Sequence, residues 1–145
     1  MTSQLNVDTI VDKAGSGGTN VKIATTSTHV SDGGAVTQNT VQGLAKAWLT
    51  LDGEGTIAIT DSNNIATITD NGTGDYSFTY TNNMGTAKHP VTGSNIGAST
   101  DYFFSFITSD AVAQATTGNT IQIKHHSGVD QDCDPTHVVI HGDLA

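Results

Sequence analysis

The chain has no arginine, a single glutamate (Glu54), a single cysteine (Cys133), a single tryptophan (Trp48) and two prolines. Each scarcity excludes something. With five lysines as its only cationic side chains and a formal net charge of −9, it cannot assemble the basic patch that phosphate backbones or anionic lipid surfaces require. One cysteine excludes an intrachain disulfide, and a buried, inert thiol is the expected state of Cys133. Glutamate, lysine, arginine and leucine sustain helices, and their shortage argues against a helical fold. No apolar run is long enough to span a bilayer as a helix, so no membrane insertion is expected. Met1-Thr2-Ser3-Gln4 carries neither a basic region nor the start of an apolar run, so no secretory leader is expected and synthesis in a cytoplasm fits.

What remains is threonine, serine, asparagine, aspartate and glycine, interleaved with isoleucine, valine, tyrosine and phenylalanine. That mixture builds strands joined by polar turns. The pattern is clearest in residues 46–81. Ile57 and Ile59 alternate with Ala58 and Thr60, Ala66 and Ile68 with Thr67 and Thr69, and Tyr76, Phe78 and Tyr80 with Ser77, Thr79 and Thr81. Successive strand side chains point to opposite faces, so each run has an apolar face and a hydroxyl face. Asp52-Gly53-Glu54-Gly55, Asp61-Ser62-Asn63-Asn64 and Asp70-Asn71-Gly72-Thr73-Gly74-Asp75 supply the turns. The segment therefore predicts a meander of short antiparallel strands. Further runs at 102–107, 121–126 and 136–141 bring the expectation to an all-β, antiparallel β-sandwich, jelly-roll-like, of about eight or nine strands.

Residues 1–39 hold few apolar positions and many glycines, serines and threonines, and read as an extended N-terminal docking arm. Within it, Leu5, Val7, Ile10 and Val11 are the candidates for docking or an oligomer interface. Residues 40–145 read as the β-sandwich domain, with Trp48 as the expected core anchor because one indole fills much of a small core. The alternative for Trp48 is a surface platform stacking on a sugar. An apolar content of 35% gives a lone subunit little to bury, which favours subunits that share a core.

The stretch Lys46-Ala47-Trp48, Gly53-Glu54-Gly55-Thr56, Asp61-Ser62 and 68–76 (Ile-Thr-Asp-Asn-Gly-Thr-Gly-Asp-Tyr) resembles a module of structural proteins in tailed bacteriophages, notably marine and cyanobacterial ones. The opening Leu5-Asn6-Val7-Asp8-Thr9-Ile10, followed by Asp12-Lys13-Ala14-Gly15, resembles the start of such proteins. The family has Arg-Asp-Ser where this chain has Thr60-Asp61-Ser62. The resemblance implies a non-enzymatic virion protein made in the host bacterial cytoplasm and exposed on the particle surface. It implies a homotrimer, with the major capsid protein or other virion proteins as partners. The role would be capsid decoration or a head fibre, or alternatively a tail fibre or spike subunit that binds a host-surface receptor or glycan.

No catalytic set emerges from the residues. Paired carboxylates are not evident around Glu54, and Cys133 with His137 lacks the wider constellation that thiol catalysis needs. Gly72-x-Gly74 lacks the following helix of a phosphate cradle. Asp130, Asp132 and Asp134 alternate as the first ligands of a calcium loop do, so calcium is the one cofactor that this pattern admits. The match stops there, because Pro135 and His141 stand where that loop needs glycine and a bidentate glutamate. A solvated acidic loop is the plainer expectation. His125 and His126 are expected on opposite faces of a strand.

Overall fold

The computed structural model describes residues 27–30, 37–41, 43–96, 102–103 and 114–145. Chain contacts divide it into two units, Met1–Val41 and Gln42–Ala145. In the first unit, β1 (Thr28–Val30) pairs antiparallel with β2 (Thr37–Asn39), and the Thr40 N–H closes the pair on the Ser27 carbonyl at 2.9 Å. The expected docking residues Leu5, Val7, Ile10 and Val11 lie outside the described residues.

The second unit contains β3 (Ala47–Asp52), β4 (Ala58–Asn63), β5 (Ile65–Gly72), β6 (Asp75–Tyr80), β7 (Val91–Asn95), β8 (Tyr102–Phe103), β9 (Gly118–Gln122), β10 (Lys124–His125) and β11 (Thr136–Ile140). All pairings are antiparallel, and no helix occurs among the described residues, so the fold is all-β. Among the described residues there are eleven strands against the expected eight or nine, because β1, β2, β8 and β10 are pieces of only two or three residues. One sheet has the order β4-β3-β11-β7 and another β5-β6-β9, while β8 and β10 form a separate pair.

The inward faces of the larger two sheets share one apolar cluster. Ala47, Leu49 and Leu51 of β3 and Val138 and Ile140 of β11 meet Tyr76, Phe78 and Tyr80 of β6 and Ile121 of β9, with Met84, Ile123 and Cys133 from connecting segments. Phe78 and Tyr80 pack edge to face, their ring centroids 5.9 Å apart, the arrangement that aromatic quadrupoles prefer. Trp48 is absent from this core. The alternation of β3 places Ala47, Leu49 and Leu51 inside and leaves Trp48, Thr50 and Asp52 half-buried on the outer face. Strand geometry allows only one parity to face the core. The parity of Trp48 includes the Asp52 carboxylate, which needs water, whereas the other parity is wholly apolar.

The expected meander also differs in one respect. β4 and β5 are separated by Asn64 alone, yet they belong to different sheets. The Asp61-Ser62-Asn63-Asn64 turn is thus compressed into one residue, and Asn64 takes a left-handed conformation (φ 58°). Asparagine tolerates that region better than other side chains. Its amide then joins segments from both sheets. Nδ2 donates to the Lys46 and Asn82 carbonyls, each at 3.1 Å, and Oδ1 accepts from the Asn82 N–H at 2.7 Å and the Asn82 Nδ2 at 3.1 Å. Lys46 immediately precedes β3, and Asn82 lies just past β6.

This corner yields a graded expectation. Asn64→Gly keeps the backbone conformation and removes the side-chain bonds, and should cost about 1–3 kcal/mol in urea denaturation. Asn64→Ala also strains the backbone and should cost about 1–2 kcal/mol more. A glycine variant as stable as the parent would show that the amide contributes nothing.

Candidate functional site

Of the calcium candidates, each aspartate serves a different end. The Asp130 carboxylate is ion-paired with Lys124. Asp132 Oδ1 accepts the Tyr76 hydroxyl at 2.6 Å and the Gly74 N–H at 2.7 Å. Asp134 is exposed and precedes a cis peptide bond to Pro135. The structure therefore does not bring the three together, and no cluster of three or more metal-ligating side chains occurs among the described residues. Of the three, Asp130 is taken by a lysine six residues away and Asp132 by partners more than fifty residues away.

The bond from Tyr76 to Asp132 is the centre of a buried knot. The Tyr76 ring lies in the core, and its hydroxyl also has the Gly53 carbonyl as a longer acceptor at 3.2 Å. The Gly53 N–H in turn bonds the Cys133 carbonyl at 3.0 Å. Space explains the glycine, since a Cβ at Gly53 would stand 2.5 Å from the Tyr76 hydroxyl. Burial pushes the Tyr76 phenol pKa far above its usual range, and the hydrogen bond to the Asp132 carboxylate and that carboxylate's charge add to the effect. Burial also raises the Cys133 thiol pKa, partly opposed by the Asn95 amide 3.2 Å from its Sγ. Cys133 is thus the buried free thiol that the sequence suggests.

A second buried polar group joins Tyr80, His89 and Asn119. His89 Nδ1 donates to the Thr86 carbonyl at 2.9 Å, which leaves Nε2 to accept the Tyr80 hydroxyl at 2.8 Å. The Asn119 amide donates to the Tyr80 oxygen at 3.0 Å and lies 3.1 Å from His89 Nε2. The Gln114 amide donates to the His89 carbonyl at 2.6 Å. These residues are far apart in the chain, and no local motif announces them. The Tyr80 and His89 rings and the Asn119 amide are all buried, so the group works as internal bracing.

The remaining distinctive surface is the outer face of the four-stranded sheet. Register places Asn63, Trp48, Val139 and Thr92 in one row across β4, β3, β11 and β7. Asp61, Thr50, His137 and Ser94 form the next row. Trp48, Thr50, His137 and Val139 on the two central strands are half-buried, while Asn63, Asp61, Thr92 and Ser94 at the flanks are exposed. The Thr50 hydroxyl lies 3.1 Å from His137 Nδ1 and fixes the imidazole. The Asp61 carboxylate accepts the Ser62 N–H at 2.9 Å. A parity count along β3 is the sequence signal that finds this face.

His125 and His126 do not diverge onto two faces as expected. His125 ends β10 and His126 enters a tight turn closed by the Gly128 N–H on the His125 carbonyl at 2.8 Å, which folds the two rings to a centroid distance of 4.0 Å. No family model matches the chain, and neither a curated protein nor a solved structure matches it.

Two expectations come from this geometry. Tyr76→Phe should cost about 1–3 kcal/mol near neutral pH, because the half-buried Asp132 carboxylate loses one of its two donors and the buried Gly53 carbonyl loses its contact with the hydroxyl. In the unfolded chain the phenol ionises near its ordinary value of 10.0, while the folded protein keeps it protonated well beyond. The stabilisation is therefore complete below about pH 10 and lost as pH rises above it, so the gap between parent and variant should narrow in denaturant titrations from pH 9 to 11. The two faces of β3 and β6 should likewise separate. Phe78→Ala in the core should cost about 3–5 kcal/mol, and Trp48→Ala on the outer face less than about half of that. Equal losses in calorimetric scans would contradict the assigned faces.

Proposed function

We propose that this protein is a non-enzymatic structural component of a tailed-phage virion. It would be exposed on the particle surface as a capsid-decorating protein or head fibre, with its larger unit acting as a jelly-roll-like sandwich in a homotrimer. The observation that carries this reading is where the phage-like stretch lands. Its 46–76 portion builds β3, β4 and β5 and enters β6, strands of both main sheets. Its polar residues go into turns and braces. Asp52 Oδ1 accepts the Glu54 N–H and Asp70 Oδ1 the Gly72 N–H, each at 2.9 Å, and Tyr76 reaches Asp132. The motif is thus spent on architecture, as a scaffolding module would spend it. The all-β fold and the acidic balance of −9 are compatible with a soluble particle exterior.

The outward Trp48 favours a second reading, a tail fibre or spike subunit that touches a host-surface glycan. Site and scale of attachment separate the two. Reconstruction of intact particles should show density for this chain on the capsid lattice under the first reading, and only at the tail under the second. Absence from purified particles would overturn both. Deleting residues 1–20 should leave the 40–145 domain folded, by circular dichroism and melting, while abolishing incorporation. Normal incorporation of that truncation would remove the docking role from Leu5, Val7, Ile10 and Val11.

A further inference from the structure

We infer that the outer face of the four-stranded sheet, centred on Trp48, is a binding site for a neutral oligosaccharide. The inference deepens the second reading above and rests on it. The two rows across four strands cover about 14 Å by 7 Å, given the spacing of strands and of alternate residues. That is a strip for a short saccharide.

Its chemistry suits a polyol. The partly exposed indole of Trp48 offers a flat apolar plate beside Val139, against which the C–H face of a sugar ring can lie. Hydrogen-bonding side chains surround it: the Asn63 amide, the Asp61 carboxylate and the Thr92 and Ser94 hydroxyls, all exposed. His137 adds a ring held by Thr50 at 3.1 Å. When Nδ1 accepts from the Thr50 hydroxyl, Nε2 carries the proton and can donate to a ligand. A few placed polar groups around an apolar surface is the pattern of small-ligand recognition.

Charge decides against the other occupants. A second copy seated on this face would bring Asp52 and Asp61 of each copy together, within chains of net charge −9. Subunit interface cores are depleted of charge and rich in apolar area, whereas Trp48 and Val139 are the only large apolar side chains in the two rows. A nucleic acid would be repelled outright. An uncharged saccharide is indifferent to the net charge and uses the polar rim.

Trp48 is the only tryptophan of the chain, so intrinsic fluorescence reports on this face alone. The full-length protein would be screened on an array of bacterial surface polysaccharides, and neutral oligosaccharides cut from any hit titrated against the emission. The expected result is a saturable shift or quench for at least one of them. Asn63→Ala and Ser94→Ala should each weaken it by about threefold to tenfold, as loss of one hydrogen bond predicts. Trp48→Phe should weaken the same binding by calorimetry with an unchanged circular dichroism spectrum. Silence across the array, while acrylamide quenches Trp48 freely, would overturn the inference and leave a capsid-decorating role standing. An emission shift that depends on protein concentration, with a matching step in sedimentation, would assign the face to self-association and overturn it too.

Discussion

The Tyr76 phenol is the point on which the larger unit turns. It is rooted in β6 of the three-stranded sheet, and its hydroxyl is satisfied by Asp132 and Gly53, which belong to the segments flanking β11 and β3 of the four-stranded sheet. A buried hydroxyl without a partner would cost roughly what it now contributes, so the position of the loop before β11 is set by a need for satisfaction as much as by packing. The Gly53–Cys133 backbone bond and the Gly74–Asp132 bond close the same knot from either side. Asn64 repeats the device at the corner between β4 and β5, and Tyr80 with His89 and Asn119 repeats it beneath β9. A core of modest apolar content is thus braced by buried and half-buried polar groups with distant partners.

This bracing bears on function. Side chains that in other contexts do acid–base chemistry are here committed to partners: Asp132 to a phenol and an amide, Asp130 to Lys124, His89 to a carbonyl and a tyrosine. The chain presents its variety on outer sheet faces. One carries hydroxyl pairs, Thr67 with Thr79 at 2.6 Å and Ser77 with Thr120 at 2.8 Å, which satisfy one another across strands. The other carries Trp48 and His137 within a polar rim. Such a body suits a proposed life on a particle surface, where one face contacts what lies outside.

Much of the fold was legible in the residues. Period-two alternation in residues 57–60, 76–81 and 136–141 marks strands, and the parity of Tyr76, Phe78 and Tyr80 marks the core. Alternation alone does not say which parity faces inward, and a preference for burying the largest side chain misplaces Trp48. Counting the companions on each parity, three apolar residues against a threonine and an aspartate, gives the observed answer. The sheet switch at Asn64 was hidden because a one-residue corner looks like the middle of a longer turn. The candidate metal loop was misleading for a related reason. Local spacing shows three aspartates in phase, but a turn folds Lys124 back onto Asp130 and topology brings Tyr76 to Asp132. The His89 cluster, assembled from residues 80, 89 and 119, left no local trace at all.

The central claim is that loops and sheets open together because buried polar knots join them. Site-resolved amide hydrogen exchange tests it most directly. The Gly53 and Gly74 N–H groups, bonded to Cys133 and Asp132, should exchange with the same opening free energy as Leu49 and Val138 in the core strands. Exchange at Gly53 and Gly74 that is orders of magnitude faster than at Leu49 and Val138 would show that the loops move independently and that the knots do not hold the structure.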